Sequence, residues 1–223
     1  MCYTNLGVLS KSIEHYEKAV EYQLKAIDFA KGTNKEVLQT LISLNNIGTV
    51  YKSQKKYERA KESYNKALSY TEFLRNNPKR HSLLLDNLAY VNFLSKDLTN
   101  IPDFFYKALK IRDSIDDKYG IATNTLHLAE YYKSLQQDSI AKMYAMRSRD
   151  VSLELNNNEE LLDAYLLLSE ISNSDVGLQY ANKYIALNDS LIKEERLFRD
   201  KFARIKFETD EIIEKNQQIS KEK

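Results

Sequence analysis

Four short blocks of this chain share a pattern that few folds can accommodate. Asn5-Leu6-Gly7, Asn46-Ile47-Gly48, Asn87-Leu88-Ala89 and His127-Leu128-Ala129 each end in a small residue, and those residues stand 41, 41 and 40 positions apart. Twelve positions after each comes Ala19, Ala60, Ile101 or Ala141, and seven further on Ala26, Ala67, Ala108 or Ser148. Tyr16, Tyr57, Leu98 and Asp138 hold another shared slot. Self-similarity at a fixed period of this size marks a repeat architecture. The spacing predicts two antiparallel helices per unit. Positions seven apart lie two turns on along one helix face. Small residues on both partners let the axes approach near the short end of the usual 8–10 Å range. A single pair cannot bury its outer faces, so successive units must stack.

Composition supports helices and little else. Five glycines and two prolines in 223 residues are too few for the turns of a hairpin-rich sandwich or barrel. Glycine-rich βα turns of a doubly wound nucleotide fold are missing as well. Charges nearly cancel, 33 basic against 32 acidic, so net charge gives no case for nucleic acid or an anionic membrane. No apolar run approaches the ~20 residues of a membrane span. The single cysteine, Cys2, excludes an internal disulfide and leaves the redox compartment open.

The pattern resembles the tetratricopeptide repeat family. Asn46-Ile47-Gly48, Tyr51, Tyr57, Ala60, Tyr64 and Ala67 carry the likeness best. The resemblance implies an all-α fold, a right-handed α–α superhelix of helical hairpins, over residues 1–190. Units fall near 1–34, 35–77, 78–118, 119–157 and 158–190, and residues 191–223 form a C-terminal capping, coiled-coil-like helix. The period exceeds the family's usual 34, which suggests a second helix about two turns longer, as from Ala60 to roughly Leu74. In the fifth unit Leu161–Ser172 reads as an apolar helix, Asn173-Ser174-Asp175 as a connection and N-cap, and either Gly177 or Ala181 as the small slot. Pro102 suits the first turn of a helix.

The chain's ends differ from the repeats. Tyr3 already lies within a helix, nothing before it resembles a signal peptide, and an uncapped apolar face is expected there; the expectation is of a chain continuing upstream, against a short natural terminus. From Leu187 to Lys223 there is no glycine or proline. Leu191, Phe198, Ile205, Ile212 and Ile219 recur every seven residues, but the second heptad slot holds Glu194, Lys201, Glu208 and Lys215, which a self-sufficient coiled coil would not. Ile192, Leu197, Phe202 and Phe207 are expected to pack against the last unit, with the part from Glu208 solvated or dimer-supported. Tyr184–Leu191 and Lys201–Ile212 resemble the region that follows the repeats in Bacteroidetes-type regulators. That resemblance implies a periplasmic sensor region ahead of a membrane helix and a helix-turn-helix or histidine-kinase output, neither of which is in this sequence. A self-contained cytoplasmic adaptor or peptide-pheromone receptor is the alternative.

Signatures of catalysis are missing, and no enzyme, cofactor or metal site is expected. The glycines are scattered singly, so no phosphate loop forms. His15, His81 and His127 make no HExxH pair, and His127 stands in the slot of Asn5, Asn46 and Asn87, which favours a repeat role. Cys2 has no activating neighbour in sequence. Serine occurs in no GxSxG elbow. Most of the sixteen tyrosines fall in repeat slots and read as packing.

A peptide- or protein-binding groove is the better prospect. The resemblance implies that first helices of successive units line a concave side. The residue three before the small slot and those one and four after it share one helical face. They are Asn45, Thr49 and Lys52 in the second unit, Asp86, Tyr90 and Phe93 in the third, and Leu126, Glu130 and Lys133 in the fourth. Tyr90 and Phe93 either anchor a partner or fill space between units. Chaperone-tail members of the family grip a terminal carboxylate with basic residues; here Thr4, Val8, Asn45, Thr49, Asp86 and Tyr90 stand in those places, none is basic, and Asp86 would repel the ligand. Lys52, Lys55, Lys56, Arg59 and Lys61 form a basic cluster, but Glu58 and Glu62 interrupt it, and a solvated turn explains it.

Overall fold

The computed structural model describes residues 2–97 and 100–221, with side chains described as far as Lys201 and again at Lys206 and Thr209. Every regular element among them is a helix: α1 (Cys2–Ser12), α2 (Tyr16–Ala30), α3 (Glu36–Ser53), α4 (Tyr57–Leu68), α5 (Thr71–Arg75), α6 (Pro78–Leu94), α7 (Ile101–Ser114), α8 (Lys118–Ser134), α9 (Asp138–Leu155), α10 (Asn158–Ile171) and α11 (Ser174–Lys221). The fold is an all-α helical repeat. The chain divides into two compact units, Met1–Ala164 and Tyr165–Lys223.

In the first unit the hairpins are α1/α2, α3/α4, α6/α7 and α8/α9, and each second helix lies against the first helix of the next pair: α2 on α3, α4 on α6, α7 on α8. The small slots sit where the helices meet. Ala60, Ala89, Ala108, Ala129 and Ala141 are fully buried. A β-carbon on Gly48 would stand 2.5 Å from the Tyr64 ring, and one on Gly7 would stand 2.4 Å from the Gln23 amide and 3.1 Å from the Ala19 carbonyl oxygen. One core cluster joins Leu41, Leu44, Ala60, Tyr64, Ala67, Leu84, Leu88 and Val91 across α3, α4 and α6. Another joins Ile101, Phe105, Leu109, Ile121 and Leu128 across α7 and α8.

Four hairpin turns repeat a backbone device that the letters conceal. Glu14, Lys55, Lys96 and Gln136 all take the left-handed conformation, with φ of 59°, 58°, 60° and 59°. They stand 41, 41 and 40 residues apart, in phase with the small slots. After each, an amide closes back over the helix end: His15 N–H to Ser10 O at 2.8 Å, Lys56 to Tyr51 at 2.9 Å, Asp97 to Asn92 at 2.9 Å and Gln137 to Tyr132 at 3.0 Å. This is the Schellman closure, in which glycine is usual. Holding a side chain there costs roughly 1–2 kcal/mol per residue.

The structure corrects the expected long helix from Ala60 to Leu74. α4 ends at Leu68, and Thr71–Arg75 forms a separate short α5. The break carries Leu74 into the core beside Leu84. Leu98 lies outside the described residues.

In the second unit the Asn173 side-chain oxygen accepts from Val176 N–H at 3.2 Å, capping α11. A β-carbon on Gly177 would stand 2.8 Å from the Ser169 carbonyl oxygen, so Gly177 is the close-approach residue of this pair. α11 runs unbroken across position 190/191. Ile192 and Leu197, expected to pack as a cap, are exposed, as is Phe198. No glycine or proline interrupts the helix from Leu187 onward and lets it turn back. The side chains of Phe202, Ile205, Phe207, Glu208, Ile212, Lys215 and Ile219 lie outside the described residues.

Two substitutions test this packing. Gly48→Ala and Ala60→Leu should each destabilise the fold by about 1–3 kcal/mol through overpacking, read as a lower melting temperature. Lys55→Gly should leave stability unchanged or raise it, whereas Lys55→Val should lower it by about 1–2 kcal/mol.

Candidate functional site

The nine expected residues lie on α3, α6 and α8, and they differ in burial. Asp86 and Leu126 are buried, which corrects their placement on an open groove wall. Asn45 and Asp86, each the first residue of its trio, turn toward neighbouring helices. Asn45 in that position accepts a hydrogen bond from Asn87 Nδ2 at 2.8 Å. Thr49 donates to the Asn45 carbonyl at 2.9 Å, with its hydroxyl 3.4 Å from that of Tyr64. Lys52, Tyr90, Phe93, Glu130 and Lys133 are half-buried.

Asp86 is the centre of the buried group. Its carboxylate takes Arg112 Nη1 at 2.8 Å, Asn124 Nδ2 at 2.8 Å and pairs with His127 Nδ1 at 3.0 Å. Arg112 Nη1 also reaches the Gly120 carbonyl at 2.8 Å. Gly120 makes room for the guanidinium, since a β-carbon there would lie 2.5 Å from Arg112 Nε. Burial alone would raise the Asp86 carboxyl; the charges and hydrogen bonds of His127 and Arg112 prevail and hold it below the usual carboxylate range. The network is incompletely satisfied: Arg112 Nε and Asn124 Oδ1 are buried without a hydrogen-bond partner. Such a network fixes one arrangement of its members and costs several kcal/mol when one partner is removed.

What it fixes is the half-buried group. His127, held by Asp86, stacks on Tyr90 with ring centroids 3.8 Å apart and planes 16° from parallel. The Lys52 ammonium lies 5.0 Å from the Tyr90 centroid, within cation–π reach. Phe93 packs 6.1 Å from Tyr90 and meets Tyr131 edge-on at 6.1 Å. Burial raises the Tyr90 phenol, and the charge and hydrogen bond of Glu130 raise it further. Burial lowers the Lys52 ammonium against the pull of Asp86 and Glu130, with Lys11 lowering it more. Asp163 on α10 is raised by partial burial and then by Glu130, Glu159 and Glu160. The surface therefore offers a cation at Lys52, an aromatic floor at Tyr90 and Phe93, and a carboxylate at Glu130. Such groups can act through charge and stacking. Among the described residues, no group of three or more His, Cys, Asp or Glu side chains is placed to hold a metal ion, and no helix is long and apolar enough to cross a membrane.

Arg112 and Asn124 were not singled out from sequence. A signal existed for the first: Arg112 occupies the slot of Ala30, Thr71 and Ser152, where a long cation needs a buried acid.

The network makes two predictions. Asp86→Asn should cost about 3–5 kcal/mol, while a triple replacement of Asp86, Arg112 and His127 by apolar residues of similar volume should recover most of that loss; chemical denaturation measures both. Because the folded Asp86 carboxyl is held below its unfolded value of about 3.9, its stabilisation is present above that pH and is lost as pH falls below it. Asp86→Asn should flatten this acid limb of the stability curve.

Residues 1–72 match the tetratricopeptide repeat family. No curated protein matches the chain. Among solved structures, the crystal structure of BtubC (BKLC) from P. vanneervenii is similar, with a TM-score of 0.69 and 15 % sequence identity over 85 % of this chain and 79 % of that one. At that identity the likeness speaks for the fold alone.

Proposed function

We propose that the chain is a non-catalytic scaffold whose surface on α3, α6 and α8 binds a segment of a protein partner. The observation that carries the reading is the half-buried Tyr90 ring, set by His127 beneath the Lys52 ammonium at 5.0 Å and beside Glu130. An aromatic group locked by a buried network and flanked by both charges forms a rigid anchor point, which loses little entropy on binding. The repeat match supports an interaction role, since stacked helical repeats present extended binding surfaces.

The partner is a peptide or protein segment, without direct nucleic-acid or membrane contact by this part of the chain. The preferred setting is the sensor region of a bacterial signalling or transcription regulator, periplasmic by the resemblance of Tyr184–Leu191 and Lys201–Ile212; a cytoplasmic adaptor or peptide-pheromone receptor is the second reading.

Selection of a displayed random peptide library on the intact chain tests the surface. Selected peptides should bind the parent protein and lose at least tenfold in affinity to Tyr90→Ala or Lys52→Glu, by calorimetry, with helical content kept. Peptides that bind these variants and the parent equally well, or a library that yields no binder, would contradict the reading.

A further inference from the structure

Two apolar stripes, one on α1 and one on α11, are exposed. Tyr3, Leu6 and Leu9 on α1 hold the slots of Leu44, Ile47 and Val50 on α3 and of Leu85, Leu88 and Val91 on α6, one and two periods of 41 further along. None of the six residues on α3 and α6 is more than 6 % exposed, whereas Tyr3, Leu6 and Leu9 are 39 %, 40 % and 59 % exposed. The cause of burial on α6 is visible: Leu88 and Val91 share a cluster with Tyr64 and Ala67 of α4, and Leu68 packs against it. On α6, therefore, α4, the second helix of the preceding pair, covers the leading stripe.

The matching trailing stripe lies on α11. Leu68 stands eight residues after the close-packed Ala60, and Leu109 eight after Ile101. Leu109 packs with Ile121 and Leu128 of α8 in this covering role. On α11 the close-approach residue is Gly177, and eight further stands Ile185. Ile185 is 53 % exposed, and Leu178 and Ile192, seven residues to either side on the same face, are 62 % and 39 % exposed.

We propose that a second copy of this chain docks head to tail, the Leu178–Ile185–Ile192 stripe of one copy covering the Tyr3–Leu6–Leu9 stripe of the next. The argument is continuity: α4 on α6 and α7 on α8 already form this interface within the chain, and the open stripes are its covering and covered sides. Two leading stripes face to face would lack a covering helix. A heterologous contact of this kind gives a ring where its rotation closes and an open chain where it does not. The inference is independent of the reading of the Tyr90 surface.

Sedimentation velocity and light scattering of the full chain, from low to high micromolar, test it. The parent protein should grow in mass with concentration. Leu9→Glu and Ile185→Glu each leave one stripe intact and should each remain monomeric, with unchanged helical circular dichroism because both positions are exposed. Mixed together, the two variants should form a one-to-one dimer with doubled mass and no further growth. A parent that stays monomeric, variants that assemble like the parent, or a mixture that stays monomeric would each overturn the proposal.

Discussion

At Gly48 the edge of the Tyr64 ring occupies the place of a β-carbon, 2.5 Å from where one would stand. Close approach at such slots makes the other features of the first unit possible. Where α3 meets α4, a fully buried tyrosine fills the space that the absent side chain leaves, and its hydroxyl comes within 3.4 Å of Thr49. Interiors packed to crystal-like density tolerate little change of volume. A period held at 41, 41 and 40 residues therefore reflects a steric requirement at each crossing. The left-handed turns at Glu14, Lys55, Lys96 and Gln136 keep the same beat, because a hairpin that must bring two small slots together needs its turn in a fixed place.

Within that frame the third and fourth repeats do something the second does not. The second uses a neutral pair, Asn87 to Asn45, between its first helix and the next. One repeat along, the corresponding place holds a buried carboxylate surrounded by Arg112, Asn124 and His127. Buried charge is a poor route to stability, since desolvation offsets much of the attraction. Its consequence is positional: His127 cannot turn without abandoning Asp86, and Tyr90 stacks on His127. A scaffold that binds through an aromatic surface gains from such rigidity.

Much of this was legible in the sequence, for reasons that also mark the limit. Gly7, Gly48, Ala89 and Ala129 fix the hairpins because a steric slot accepts only small residues, and that constraint survives in single letters. The end of α4 at Leu68 was not legible, since neither Ser69 nor Tyr70 is a helix breaker and the turn serves to bury Leu74. The hairpin turns were invisible because glutamate, lysine and glutamine hold a conformation usually signalled by glycine. Helical spacing alone puts Asp86 on an open face; what buries it is Arg112, 26 residues away on the next helix. Tyr90 and Phe93 stand between the two readings given to them, half packed and half open.

A double-mutant cycle between Gly48 and Tyr64 tests the central steric claim most directly. Unfolding free energies would be measured for Gly48→Ala, Tyr64→Leu and the pair. If the ring occupies the space that glycine leaves, the alanine is harmful only while the tyrosine is present, and the double variant should be more stable than the sum of the single losses by about 1 kcal/mol or more. Strict additivity of the two losses would mean that the helices do not meet there, and the account of the repeat would fail with it.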